Sequence, residues 1–221
     1  MHIDINVASD FVCPWCFLGR DRLMRAVAQF SDAYPEHPVR IHWLPYFLNP
    51  DTPLKGEPYR PFLEKKFGSA RAVDELFSRV REAAQGDGLE FAFDKIELRP
   101  NTLRAHRLIY RAQSRGARPE RIQALVGGVF EAYFQKGEDI GSVDTLADIA
   151  EACGERREAI VEYLSGNEDA EAVRRMAGEL SQQGVEGVPF FILNRSLAVS
   201  GAQSLAALGA ALRQVAGVHV S

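Results

Sequence analysis

Cysteine is scarce in this chain, with Cys13, Cys16 and Cys153 the three examples in 221 residues. Three thiols cannot build the paired framework that staples small exported domains, so the fold must stand on a hydrophobic core. A close Cys pair then points to redox or metal chemistry. No run of 18 apolar residues occurs, which argues against an apolar membrane-spanning helix. Positive charge is not in excess either: Lys plus Arg number 26 against 30 Asp plus Glu, a net charge of −4. That balance disfavours phosphate backbones and anionic lipid, so neither nucleic acid nor a membrane surface is expected as a partner. The opening residues Met1 to Val7 lack a basic patch and a long apolar stretch, and the protein is expected to be cytoplasmic. Internal repeats and low-complexity tracts are missing. What is plentiful is apolar residue content, 46% against 25% charged, which excludes disorder and supplies a core for one domain or one domain with an insertion.

Ile3, Ile5 and Val7 alternate as in a strand that ends at Ser9-Asp10. A helical pattern starts at Cys13, with Pro14 in the first turn and Leu23, Val27 and Phe30 on one face, and it stops before Pro35. Val39 to Leu44, bounded by Pro38 and Pro45, alternates as a second strand. From Asn49 to Pro61 the density of proline reads as loop and as the edge of an insertion. Helices are then predicted over Arg71 to Ala84, from an Asn101-Thr102 cap onward, over Pro119 to Gln135, from Ser142 and Asp144 onward, and over Glu168 to Gln183. Strand chemistry returns at Val188 to Leu193, turns at Asn194-Arg195, resumes at Leu197 to Val199, and is followed by a helix near Ser204 to Val215. The pattern is an α/β unit (strand-helix-strand, then strand-strand-helix) interrupted by an all-helical insertion, with domains expected at 1–48 plus 184–221 and at 49–183.

Cys13-Pro14-Trp15-Cys16 follows a predicted strand and opens a predicted helix. A thiol at a helix N-terminus faces unpaired N–H groups and the positive end of the helix dipole, which stabilise its thiolate. Cys13 is therefore the candidate nucleophile, expected at an exposed helix start. Cys16, one turn on, is close enough to close a disulfide and is shielded, so it is the candidate resolving thiol. Pro14 and Trp15 offer an apolar face beside the sulfur for a polypeptide or aromatic substrate. The competing reading of Cys-x-x-Cys is half of a zinc site. Its second half is missing: Cys153 is isolated, and His2, His37, His42, His106 and His219 show no paired spacing. Val188-Pro189 at a strand start, combined with the dithiol, reads as a cis bond whose backbone edge grips substrate, and an ordinary trans proline is the alternative. Cys153 is expected to be a buried, inert thiol and His106 a structural histidine. Asp10 reads as a strand-end cap, with proton movement from Cys16 as the alternative.

The segments Asp10 to Cys16, Val185 to Phe191 and Val199 to Gln203, together with the helical block, resemble the DsbA family of the thioredoxin superfamily, in its FrnE-like cytoplasmic branch. The resemblance implies a thioredoxin fold with a helical insertion, Cys13 attacking, Cys16 resolving, and a cis-proline loop at Val188-Pro189 packed on the dithiol. The implied activity is protein thiol–disulfide exchange with no metal and no bound organic cofactor, on protein or peptide thiols, in a monomer or homodimer. Exported DsbA proteins usually carry Pro-His between the cysteines, and Pro14-Trp15 lacks that extra cation, which implies a weaker oxidant. Related glutathione-using proteins, 2-hydroxychromene-2-carboxylate isomerase and kappa-class glutathione transferase, imply an alternative activity, although they usually carry serine where Cys13 stands. In them a corner like Ser200-Gly201-Ala202-Gln203 holds the γ-glutamyl end of glutathione. Here Ser200 and Gln203 are expected to open the final helix, as a carboxylate dock or as a plain cap. Glutathione is otherwise expected as a redox partner, and a non-catalytic peptide-binding or holdase module is the third reading.

Overall fold

The computed structural model describes residues 2–218. The chain divides into two compact units, one of Met1–Tyr46 with Met176–Ser221 and one of Phe47–Arg175. The exchanges fall at 46/47 and 175/176, where the sequence placed them at 48/49 and 183/184.

The first unit is built on a four-stranded sheet ordered β2-β1-β5-β6, where β1 is Ile3–Ser9, β2 Val39–Pro45, β5 Phe190–Leu193 and β6 Leu197–Ser200. β1 runs parallel to β2, with α1 (Pro14–Ala33) between them in sequence, and antiparallel to β5. Register decides the two faces. Ile5 opposite Leu193 and Val7 opposite Phe191 put the alternating apolar set of β1 on one face. α1 lies against that face, because Gly19 approaches Phe191. α1 also packs on α9 (Leu205–Ala216), which touches β1, β5 and β6. On the other face, Ala8 at the C-terminal end of β1 is covered by Leu180 and Val185, with Leu44, Tyr46, Val188 and Phe190 around them. Leu180 belongs to the end of α8 (Ala170–Gln182), and the Val185 N–H donates to the Leu180 carbonyl, which closes that helix onto the sheet.

The expected strand at Val188 begins at Phe190 instead. Pro189 has no N–H for a ladder, and its carbonyl accepts from Gly201 N–H at 2.8 Å, beyond the last paired residues Phe190 and Ser200. The turn at Asn194-Arg195 is as read from the sequence, and both residues adopt positive φ, 48° and 56°; with Ser196, whose N–H donates to the Leu193 carbonyl at 3.0 Å, they join the paired Leu193 and Leu197.

The second unit is helical apart from a two-residue ladder between β3 (Glu57–Pro58) and β4 (Leu98–Arg99). Its described helices are α2 (Tyr59–Phe67), α3 (Ala70–Gln85), α4 (Leu103–Ser114), α5 (Pro119–Glu131), α6 (Val143–Ala152), α7 (Arg157–Ser165) and the start of α8. A π turn at Ala132–Lys136 prolongs α5 to Gly137. α2 and α7 were not read from the sequence. Pro61 sits within the first turn of α2, where proline is tolerated, so a proline-rich segment hid a helix. α7 starts at Arg156 without a side-chain cap, so the usual start signal is missing. Aromatic rings fill this unit: Phe77 stacks on Phe93 at 4.1 Å, and Phe91 and Phe134 close around them. Arg107, 2% exposed, ties α4 to α7 and the turn before α8 by donating to the carbonyls of Glu168, Leu164 and Tyr163.

Candidate active site

The end of β1 sets the site. Tyr46 N–H donates to the Ser9 carbonyl, the chain turns through Asp10-Phe11-Val12, and Cys13 N–H donates back to the Asp10 carbonyl at 3.1 Å. Cys13 is then the N-cap residue of α1, with φ −97° and ψ 113°, and Pro14 takes the first turn, where its missing N–H costs nothing. The Cys13 carbonyl accepts from Cys16 and Phe17, the first helical bonds. No side chain caps this start and its first turn has no acidic residue, so the N-terminal dipole end is left facing the thiol.

The two thiols stand at different depths by a narrow margin: Cys13 is 5% exposed and Cys16 1%. The expectation of an exposed Cys13 is corrected. Its S–H is turned into the protein and donates to the Val188 carbonyl at 3.7 Å, a long bond of the kind sulfur makes. The Val188–Pro189 bond is cis, so the carbonyl read from the sequence as an outward grip is engaged by the thiol. Burial pushes the Cys16 thiol well above its ordinary value. The neighbouring Cys13 sulfur raises it further, while the Ser9 hydroxyl and the Asp10 backbone pull the other way.

Gly19 holds the loop in place. A Cβ built on it would lie 2.9 Å from Pro189 Cγ and 3.3 Å from Phe191 Cζ, so the absent side chain lets α1 and the Pro189 loop touch. From the other side, Gly201 N–H holds the Pro189 carbonyl, and Arg22 Nη1 ties the corner to α1 by donating to the Ala202 carbonyl at 2.9 Å.

Of the residues expected at the site, Cys13, Pro14, Cys16, Val188 and Pro189 come together, and Trp15 is half-buried in the first turn. Ser200 and Gln203 do not open the final helix. Ser200 is an exposed member of β6 opposite Phe190, and Gln203 Nε2 donates to its carbonyl at 2.7 Å. Ser204 is the N-cap of α9, accepting from Ala207 N–H. Two of the corner's N–H groups are already used, Gly201 on Pro189 and Gln203 on Gly201. His106 and Cys153 belong to the unit 47–175. His106 is buried with its ring edge-on to Phe47. Cys153 caps the C-terminus of α6 at intermediate exposure rather than being buried, because the helix ends there at the surface before Gly154. Burial still raises its thiol above the ordinary value. His219 lies outside the described residues, and among those residues no three His, Cys, Asp or Glu side chains converge. Gly19 escaped the sequence reading. The available signal for Gly19 was a glycine inside a strong helical pattern, which often marks a close approach.

Residues 4–213 match the model of the DSBA-like thioredoxin domain family. A probable DsbA oxidoreductase from Streptomyces coelicolor superposes with a TM-score of 0.85 at 27% identity, over 100% of this chain and 92% of that one. A 2-hydroxychromene-2-carboxylate isomerase gives 0.71 at 21%, over 98% and 100%. The cytosolic disulfide reductase DsbM of Pseudomonas aeruginosa, solved with glutathione, gives 0.65 at 17%, over 97% and 100%. Among the described residues, no helix is long and apolar enough to cross a membrane.

Proposed function

This chain belongs to the DSBA-like thioredoxin domain family, and on that premise we propose that it is a thiol–disulfide oxidoreductase working through Cys13 and Cys16. The observation that carries the reading is the placement of Cys13 at an uncapped helix start, hydrogen-bonded to the Val188 carbonyl, with the more deeply buried Cys16 one turn behind it. The Cys13 thiolate attacks one sulfur of a client disulfide, and the other client sulfur leaves with the bonding electron pair and takes a proton from water. Cys16 then attacks Cys13 Sγ. The bond from Cys13 to the client breaks, the second client thiol departs, and the Cys13–Cys16 disulfide remains, two electrons having passed to the client. Run backwards, the same steps oxidise a client dithiol, and the reduction potential against the surrounding pool sets the direction.

Clients in this reading are protein or peptide thiols and disulfides, met in the cytoplasm by a monomer or homodimer. The dithiol works without a bound metal or organic cofactor, and two glutathione molecules return it to the reduced form with release of glutathione disulfide. The likeness to a cytosolic disulfide reductase supports that compartment and that partner. A glutathione-dependent isomerase is the weaker reading, because both cysteines are present and the N–H groups at 201 and 203 already have acceptors.

The test is trapping with a fluorescent disulfide-bonded peptide. Cys16→Ser is expected to accumulate a peptide adduct on Cys13 that a reductant removes, whereas Cys13→Ser accumulates none. The opposite pattern, or no adduct on either variant, overturns the assignment.

A further inference from the structure

The corner 200–203 leaves the sheet at Ser200, the last residue that β6 pairs to β5, and its carbonyls are then fastened one by one. The Ser200 carbonyl accepts from Gln203 Nε2 at 2.7 Å and the Gly201 carbonyl from Gln203 N–H at 2.8 Å. Those two bonds are local, so they fold the corner without fixing where it stands. The Ala202 carbonyl accepts instead from Arg22 Nη1 at 2.9 Å, a half-buried side chain of α1 and 180 residues away in sequence. On its other side the corner reaches the dithiol. Gly201, at φ 78°, donates its N–H to the Pro189 carbonyl at 2.8 Å, and Val188, the residue before that proline, receives the Cys13 S–H on its own carbonyl. Arg22 follows Cys16 and Gly19 at intervals of three, one ridge of the helix, and Gly19 is the residue that touches Pro189.

We propose that Arg22 is a positioning residue for Cys13: by holding the Ala202 carbonyl it fixes the Pro189 loop against α1, and with it the distance from the Val188 carbonyl to the thiol. This rests on the oxidoreductase reading above, in which Cys13 is the nucleophile. Nine residues of helix place Arg22 about 13 Å along the axis from Cys13, too far for it to touch a client sulfur. Its influence on the nucleophile therefore travels through the loop.

The Val188 carbonyl acts on one protonation state. It accepts from the neutral thiol and has nothing to offer the thiolate, so a held loop retains the proton and a released loop lets Cys13 ionise at lower pH. Arg22 thereby sets how much of the resting protein carries an attacking thiolate. Its own charge works the other way. A cation favours a thiolate, so on electrostatic grounds alone its removal would make Cys13 ionise at higher pH. That effect is weak at this separation, because the screening length is about 8 Å at physiological salt. The two consequences of deleting Arg22 have opposite signs, and the loop effect is the larger.

Alkylation by iodoacetamide across pH reads this directly. Cys16→Ser and Cys153→Ser leave Cys13 as the one thiol, which also removes the coupling between the two neighbouring sulfurs. In that background Arg22→Met is expected to move the midpoint of the rate profile to lower pH. On the acid side the rate is expected to rise about threefold, the scale of one lost hydrogen bond between neutral groups, with the alkaline plateau within about twofold of the parent. Arg22→Lys, which keeps both the charge and a donor, is expected to stay close to the parent. Arg22→Gln carries the same expectation as methionine and replaces it if that variant does not fold. A general loosening would expose the buried thiol and raise the rate by one factor at every pH with the midpoint in place, and that result overturns the proposal. So do a midpoint moved to higher pH, an unmoved profile, and an Arg22→Lys variant indistinguishable from Arg22→Met. Peptide trapping on the same background keeps the two claims apart. No adduct on Cys13 overturns the oxidoreductase reading and Arg22 with it, whereas a normal adduct beside an unmoved profile overturns Arg22 alone.

Discussion

Adding a single methyl group at Gly19 tests whether the Pro189 loop is held against the dithiol by close packing. In Gly19→Ala the new Cβ would stand 2.9 Å from Pro189 Cγ, 3.3 Å from Phe191 Cζ and 3.4 Å from Pro189 Cβ. Carbon atoms prefer about 3.5–4.0 Å, so the proline ring has to retreat by about 0.6 Å or more from α1. Two energies compete. Alanine in a helix interior is better than glycine by about 1 kcal/mol, whereas overpacking a well-filled site costs about 1–3 kcal/mol. The net expectation is a loss of about 0–2 kcal/mol, seen as a fall in Tm of up to about 8 °C for a chain of this size. The larger effect falls on the site, since the loop carries the Val188 carbonyl that receives the Cys13 S–H over 3.7 Å. That bond is already long and opens when the loop retreats. Gly19→Ala is therefore expected to change the rate at which Cys13 forms its adduct with the fluorescent disulfide-bonded peptide in the Cys16→Ser background, while scanning calorimetry shows a modest loss of stability. A variant with raised Tm and an unchanged rate of adduct formation would falsify the close-approach argument, because helix propensity would then be the one term in play.

The sequence carried the parts of the site that local rules govern. A strand ending at Ser9, a proline in the first turn and two thiols one turn apart are short-range patterns, and they place Cys13 and Cys16 correctly at the start of α1. Pro189 was legible only in company with the dithiol, because proline at a strand start is ordinary by itself. Gly19 was not legible for a different reason. Gly19 matters through Pro189, 170 positions away. That property is not written in spacing. The misplacement of Ser200 has a simple cause: two serines four residues apart both suit an N-cap, and the β6 pairing with Phe190 takes the first, leaving Ser204 to open α9. The exposure expected for Cys13 came from treating a helix start as a surface feature, whereas the Val188 carbonyl, 175 residues on, takes up its S–H in the folded protein.

Two further outcomes follow from buried groups. Arg107→Met is expected to lower the free energy of unfolding in urea by about 3–5 kcal/mol, since it strips a buried cation from the three carbonyls of Glu168, Leu164 and Tyr163 and from the Tyr163 ring; a loss below about 1 kcal/mol would show that those carbonyls find other donors. The last concerns Cys16 and alkaline pH. Its thiol ionises with an ordinary value of 9.0 in the unfolded chain and well above that in the reduced, folded protein, because burial disfavours the thiolate. Between those two values the folded state holds a proton that the unfolded state has lost, so stability falls as pH rises, by up to about 1.4 kcal/mol per pH unit for one group. Below about pH 9 both states are protonated and this contribution is fully present. Urea unfolding of the reduced protein across that range is expected to show a steeper alkaline loss than the same series on Cys16→Ala, in which every other titrating group is retained. Parallel curves for the two proteins would mean that the folded protein leaves Cys16 free to ionise, and with that the case for a shielded resolving thiol would fail.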